Sequence, residues 1–235
     1  MDSTTQKVAI ITGASRGIGE GLVAAYRKLG YAVVATSRSV DSTDPEVLAV
    51  PGDLSRPGTG ADVVERAMNR FGRIDTLVND AGVFIAKPFT DYTDEDYDTV
   101  AGVNLRGFFD ISRSAIAAML AHGDGGHLVN VSTSLVDHAN SQVPAALASL
   151  TKGGLAAVTK SLAIEYAARG IRVNAVALGI IRTHPAETDE ALAGMHPLGR
   201  MGEIDDVVEA IVYLEQAGFV TGEILHVDGG QSAGH

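Results

Sequence analysis

The chain has 235 residues, of which 46% are hydrophobic and 20% charged, with a formal net charge of −11. That length suits one large α/β domain with a substantial core, and the hydrophobic share excludes a disordered chain. The acidic balance argues against nucleic acid as a partner, and the absence of cysteine excludes disulfides, thiolate metal sites and cysteine nucleophiles. Met1 to Lys7 is polar without an apolar h-region, and no apolar run reaches about 18 residues, so neither a secretion signal nor a membrane span is expected. A cytoplasmic protein is the default.

Val8–Ile11 is a short β-branched run that reads as a strand buried on both faces. Gly13, Gly17 and Gly19 follow, and Leu22, Val23, Tyr26 and Leu29 then recur with helical spacing up to Gly30. Strand, glycine turn and helix make the first half of a βαβ unit. Glycine lets backbone approach a pyrophosphate closely, and free N–H groups at the helix start attract its charge. The spacing is Gly-x-x-x-Gly-x-Gly and not Gly-x-Gly-x-x-Gly, so a plain glycine-rich helix start remains an alternative here. Ala32–Thr36 is a second strand that ends at Ser37-Arg38. An acid near this point binds a ribose hydroxyl, whereas an arginine accommodates a 2′-phosphate. Arg38, with Arg16 in the glycine turn, therefore points to NADPH over NADH; two solvated surface arginines are the alternative.

Val47–Val50 is a third strand, left by Gly52-Asp53-Leu54, and Ser39–Glu46 before it is too short and polar for a full crossover helix. Ala61–Phe71 reads as a helix and Ile74–Asn79 as a fourth strand, closed by Asn79-Asp80-Ala81-Gly82. Strands separated by helical patterns predict a parallel, doubly wound sheet. Thr93 starts a helix, with Glu95 and Asp96 suiting the positive end of its dipole. That helix continues to about Ala121, with a break near Gly102 and Gly107, and Asn104 lies inside it although asparagine is a poor helix former. His127–Ser132 is the fifth strand, Pro144–Ala168 a long helix carrying Lys152, and Ile171–Val176 the sixth strand. Thr183–Met201, rich in Pro, Gly and His, reads as a mobile excursion. Glu203–Gln216 is a helix and Glu223–Val227 a seventh strand before Gly229-Gly230. No repeat or linker interrupts residues 1–235, which form one predicted domain.

These segments together resemble the short-chain dehydrogenase/reductase family over nearly the whole chain, its 3-oxoacyl-(acyl-carrier-protein) reductase-like members included. Thr12-Gly13-Ala14-Ser15-Arg16-Gly17-Ile18-Gly19 is similar to the family's cofactor turn, and Asp53-Leu54 to its adenine contact. Asn79-Asp80-Ala81-Gly82 resembles its Asn-Asn-Ala-Gly, with Asp80 a departure; Arg172–Val176 and Val220–Gly230 resemble its late strands. The resemblance implies a single-domain Rossmann fold, with a seven-stranded parallel sheet and helices on both faces. It implies hydride transfer from NADPH to a small carbonyl substrate, and a substrate lid around residues 183–201. It implies a homodimer or homotetramer through the long central helices, where Ala115, Ala117, Ala118, Ala156 and Ala157 would allow close contact. The cofactor contacts it implies are Gly13, Ser15, Arg16, Gly17, Ile18 and Gly19 in the turn, then Arg38, Asp53, Leu54, Asn79, Ala81 and Gly82. Lys152, Gly179, Ile181 and Thr183 complete that set, with Leu178 standing where the family has a proline.

The family's catalytic set is Asn, Ser, Tyr and Lys, with Tyr four residues before Lys so that both share a helix face. Asn104 and Lys152 match. The tyrosine position falls on Ala148, and no tyrosine occurs between Tyr97 and Tyr166. The serine falls within Ser132-Thr133-Ser134: the strand alignment favours Thr133, and spacing back from Ala148 favours Ser134, so the loop carries an extra residue or two. Alanine supplies no proton to an alkoxide, a loss worth about 10²–10⁴-fold for a positioned general acid. His138, or Lys152 through a water, are the candidate donors; an exposed loop histidine and a ribose anchor are their plainer roles. An iminium substrate needs no donor in the hydride step, and the vacated ring space would admit a bulky amine. A reading from another class is a catalytically silent NADP-binding sensor or partner subunit. His184 and His196 lack metal-ligand spacing, so no metal is expected.

Overall fold

A computed structural model describes residues 6–183 and 190–234. β1 (Val8–Thr12), α1 (Gly17–Lys28) and β2 (Ala32–Ser37) come first, and β3 (Val47–Pro51) follows β2 without an intervening helix. Then come α2 (Thr59–Phe71), β4 (Thr76–Asn79), α3 (Asp94–Ala101), α4 (Phe108–His122) and β5 (Gly126–Thr133). The chain continues through α5 (Ala146–Tyr166), β6 (Ile171–Leu178), β7 (Ile181–Arg182), α6 (Glu190–Ala193), β8 (Gly202–Glu203), α7 (Ile204–Gln216) and β9 (Ile224–Val227). Seven strands form one sheet in the order β3-β2-β1-β4-β5-β6-β9, and every pairing is parallel. β7 and β8 pair separately, outside the sheet.

The alternation along β1 explains why this strand lies at the centre. Val8 and Ile10 pack into the core beneath α2, α4 and α5, and Ala9 and Ile11 into the core beneath α1 and α7. A parallel sheet covered on both faces requires such continuous apolar strands. Helices on both faces of a parallel sheet define the Rossmann-type α/β architecture expected from the sequence. The strand order reverses between β1 and β4, and ligands of open α/β sheets bind outside the strand carboxyl ends at such a point.

Thr93 caps α3 with a reciprocal pair, its hydroxyl accepting from the Asp96 N–H while the Asp96 carboxylate accepts from the Thr93 N–H. The break expected near Gly102 and Gly107 is a π-helical segment with those two glycines as its ends. Such bulges admit one residue too many per turn and are frequent at functional sites. Two expectations change. The excursion from Thr183 to Met201 is not loose throughout, because His196 and Met201 are each 3% exposed. The His196 Nδ1–H donates to the Leu192 carbonyl and Nε2 accepts from the Ile180 N–H, so the ring is a packed strut. His184 lies outside the described residues. Ala115 is buried in the core between α4 and the sheet, so it offers nothing to a neighbouring copy. No helix among the described residues is long and apolar enough to cross a membrane.

Candidate active site

Thr12 ends β1 and ties the two sides of the switch point together. Its hydroxyl donates to the Val78 carbonyl (3.2 Å) and accepts from the Ala81 N–H (2.9 Å). Gly13 and Gly17 adopt φ of 71° and 61°, which suit glycine, and a Cβ on Gly19 would overlap the Gly13 carbonyl. The first helical bond of α1 runs from the Glu20 N–H to the Arg16 carbonyl. The N–H groups of Gly17, Ile18 and Gly19 precede it and have no carbonyl one turn back. The Gly19 N–H favours the charged form of the Asp80 carboxyl, whose Oδ2 lies against Gly13.

Above this turn lies a cleft of about 1140 Å³. Gly13, Ser15, Arg16, Gly17 and Ile18 line its floor, with Arg38 after β2, Asp53 and Leu54 after β3, Ala81 and Gly82 after β4, and Thr183 after β7. Hydrogen bonds from the Ser55 hydroxyl and N–H hold Asp53 below the usual carboxylate range, so this acid is ionised and fixed in a turn. Eleven of the anticipated cofactor contacts thus converge on one cleft. Gly19 sits under it as a spacer.

Three anticipated contacts fall elsewhere. Asn79 is 6% exposed, and its carboxamide donates to Ser112 Oγ (3.0 Å) and Asn130 Oδ1 (2.9 Å) inside the fold. Its side chain clamps β4 to β5 and α4, because a strand-end amide pointing inward must satisfy its donors there. Gly179 and Ile181 line a separate cavity of about 340 Å³ with His196, Arg200 and Asp228.

At the other end of the site, Lys152 reaches from α5 to donate to the Val131 carbonyl (2.7 Å). Its Nζ and Asn104 Oδ1 lie 3.1 and 3.5 Å from where a Cβ on Gly82 would stand. Burial brings the Lys152 ammonium down to about 8, with Asp80 opposing. Burial likewise pushes the Asp80 carboxyl up to about 7, against the pull of Lys152 and the Gly19 N–H. Asn104 is 1% exposed in the π segment. Its Oδ1 accepts from the Val83 N–H (2.8 Å), and its Nδ2 donates to the Val83 carbonyl (3.0 Å) and Thr151 Oγ1 (3.2 Å). The side chain therefore locks the segment after Gly82 to α5 and so positions Lys152.

The hydroxyls after β5 are occupied locally. Ser134 is 1% exposed and donates to Gln231 Oε1, which removes it from the cleft. Thr133 is half-buried, accepting from the Leu135 N–H and donating to the Leu178 carbonyl. His138 lines neither cavity; its N–H donates to the Ser134 carbonyl. Ala148 stands one turn before Lys152 and is 2% exposed, so its methyl group is covered. The proximity of Asp80 to Lys152 was not legible from spacing, although the replacement of an expected asparagine by an acid marked the position.

Comparison with known proteins assigns the chain to a family. The model of the family described as "Enoyl-(Acyl carrier protein) reductase" matches residues 13–232. The chain belongs to the short-chain dehydrogenase/reductase family. Among its relatives, 3-oxoacyl-(acyl-carrier-protein) reductase of Thermotoga maritima is 34% identical over 95% of this chain and 97% of its own. L-xylulose reductase of Mus musculus is 35% identical over 94% of this chain and 95% of its own. Of solved structures, 3-ketoacyl-(acyl-carrier-protein) reductase from Brucella melitensis, complexed with NADH, has a TM-score of 0.88 and 34% identity, covering 96% of this chain and 98% of that one. ElxO with NADP bound has a TM-score of 0.90 and 27% identity, covering 97% and 100%. This member of the short-chain dehydrogenase/reductases is an oxidoreductase by family, with structural neighbours that hold either nicotinamide nucleotide.

Proposed function

We propose that this chain is an NADPH-dependent oxidoreductase that reduces a small carbonyl or imine, with Ala148 at the position of the family's tyrosine and Lys152 as its proton donor. The carrying observation is the Lys152 Nζ, held by the Val131 carbonyl beside Gly82 and Asn104, with an ammonium brought down to about 8. A donor that titrates near working pH transfers its proton most efficiently. His138, which lines neither cavity, has no such placement.

The cleft fits a dinucleotide. Gly13 and Gly17 put no side chain where backbone must approach phosphate, and the Gly17 and Ile18 N–H groups remain for the pyrophosphate. Arg16 and Arg38 line the cleft and would serve a 2′-phosphate, since charge-assisted arginine–phosphate bonds are strong and often bidentate. A bound nicotinamide would supply a hydride to a substrate beside Gly82 and Lys152. There the substrate carbon gains the hydride, its C=O π pair becomes an alkoxide lone pair, and the Lys152 ammonium gives that oxygen a proton. The resulting amine recovers its proton from solvent. An imine already protonated on nitrogen needs no donor in that step. Assembly as a homodimer or homotetramer is supported by apolar side chains left exposed at Leu105, Phe109, Leu150 and Ile164.

The test is NADPH oxidation with a panel of ketones, diketones and imines. Lys152→Met should lower ketone reduction by about 10²–10⁴-fold, and imine reduction much less. Tight NADPH binding with no turnover of any substrate would instead identify a silent sensor or partner subunit.

A further inference from the structure

Asp80 places an acid where the glycine turn is built to receive an anion. Its Oδ2 lies 3.0 Å from where a Cβ on Gly13 would stand, so the carboxyl packs directly against the turn. The Gly19 N–H at the start of α1, one of the donors a pyrophosphate would otherwise find, favours its charged form, and the carboxyl lines the same cleft. Other charges face the cleft from every side: Arg16 in the turn, Arg38 after β2, Asp53 after β3, and Glu95 and Asp98 on α3. Glu20, in the first turn of α1, is exposed. Lys152 on α5 is the charged side chain that acts on Asp80, and among the described residues it makes no ion pair with it.

A carboxylate and a pyrophosphate at one helix start repel each other. Protonation removes the repulsion and gives the carboxyl an O–H to donate. We propose that Asp80 gates the cofactor seat by proton uptake: filling the glycine turn with a dinucleotide drives a proton onto its carboxyl, and affinity falls as pH rises. This rests on the dinucleotide reading above. Burial already pushes the free carboxyl up to about 7, so the gate works at neutral pH. The free protein binds fewer protons than the complex above that point, so the binding constant drops by up to about tenfold per pH unit.

The experiment is titration calorimetry of the full chain with NADP⁺ at pH 6.5, 7.5 and 8.5, each in two buffers of different ionisation heat. The 2′-phosphate, with a second pKa of about 6, contributes little at the two higher values. Wild type should take up about half to one proton at pH 7.5 and bind roughly tenfold more weakly at pH 8.5. Asp80→Asn keeps an oxygen acceptor for the Gly19 N–H and matches the residue expected at this position; it should bind more tightly at pH 8.5 with most of the uptake gone. The residual uptake then belongs to Lys152. Wild-type binding without proton uptake at pH 7.5, or an Asp80→Asn profile as steep as wild type, overturns the gate while leaving the cofactor reading intact. Binding of neither NADP⁺ nor NAD⁺ overturns both.

Discussion

Restoring a tyrosine by Ala148→Tyr tests how far the active site has diverged. Ala148 is 2% exposed, following Ala145 at 8% and Leu147 at 5%, in the first turn of α5. A tyrosine brings a ring that covers about 150–250 Å² when buried, and Ala148 does not line the cleft, so the ring meets packed neighbours instead. Overpacking of this kind costs about 1–3 kcal/mol. For a chain of this length each kcal/mol lowers Tm by roughly 2–4 °C, so a fall of about 2–12 °C is expected. A ring displaced from register gives no aligned phenol, and carbonyl reduction should stay within a few-fold of the parent. Thermal melting and NADPH oxidation on the same preparation read both quantities. A gain of about 10²-fold or more at unchanged Tm would refute the reasoning, because it would show open space beside Lys152 and an otherwise intact tyrosine site.

The sheet and its binding edge were legible because their signals are local. An unbroken apolar run at Val8–Ile11 has to be covered on both faces, and glycines at 13, 17 and 19 mark a tight turn into a helix after such a strand. The break at Gly102 and Gly107 was visible as well, although its π-helical form depends on Asn104 reaching Val83 and Thr151, contacts set by tertiary packing. Side-chain direction was not legible. Asn79 at a strand end reads the same whether it points to a ligand or, as here, to Ser112 and Asn130. Ser134 finds Gln231 across 97 positions of sequence, and no spacing rule links them. Glu215 closes a helical pattern like any solvated acid. It nevertheless collects hydrogen bonds from Tyr26, Tyr31, Thr76 and His127, four segments that meet at the amino ends of the strands.

Arg38→Asp should reverse the cofactor preference, weakening NADPH by roughly 10- to 100-fold as one charged hydrogen-bond set is lost; equal dissociation constants for NADPH and NADH in the parent would already refute it. Asn104→Ala leaves the Val83 N–H and carbonyl without partners and should cost about 1–3 kcal/mol, read as a lower urea midpoint; an unchanged midpoint would mean water replaces the amide. Acid stability is governed by Glu215. Burial opposes its ionisation, but hydrogen bonds from His127, Tyr31 and Tyr26 hold it down from 4.5 to about 2. His127 is held neutral, since burial lowers its pKa and its Nε2 accepts from Asn174, whose own Oδ1 is fixed by the Glu223 N–H. The Nδ1–H therefore donates to Glu215. Both groups have folded values below their unfolded ones, so the unfolded chain binds more protons and stability is lost as pH falls. The His127 share goes below about 6.5, and the Glu215 share, on the order of 3 kcal/mol, goes as pH falls from 4.5 to about 2. Urea unfolding at pH 7, 5 and 3.5 should show this decline. Glu215→Gln should be less stable at pH 7 yet flatter between pH 5 and 3.5, and a decline as steep as wild type there would assign acid sensitivity to other carboxylates.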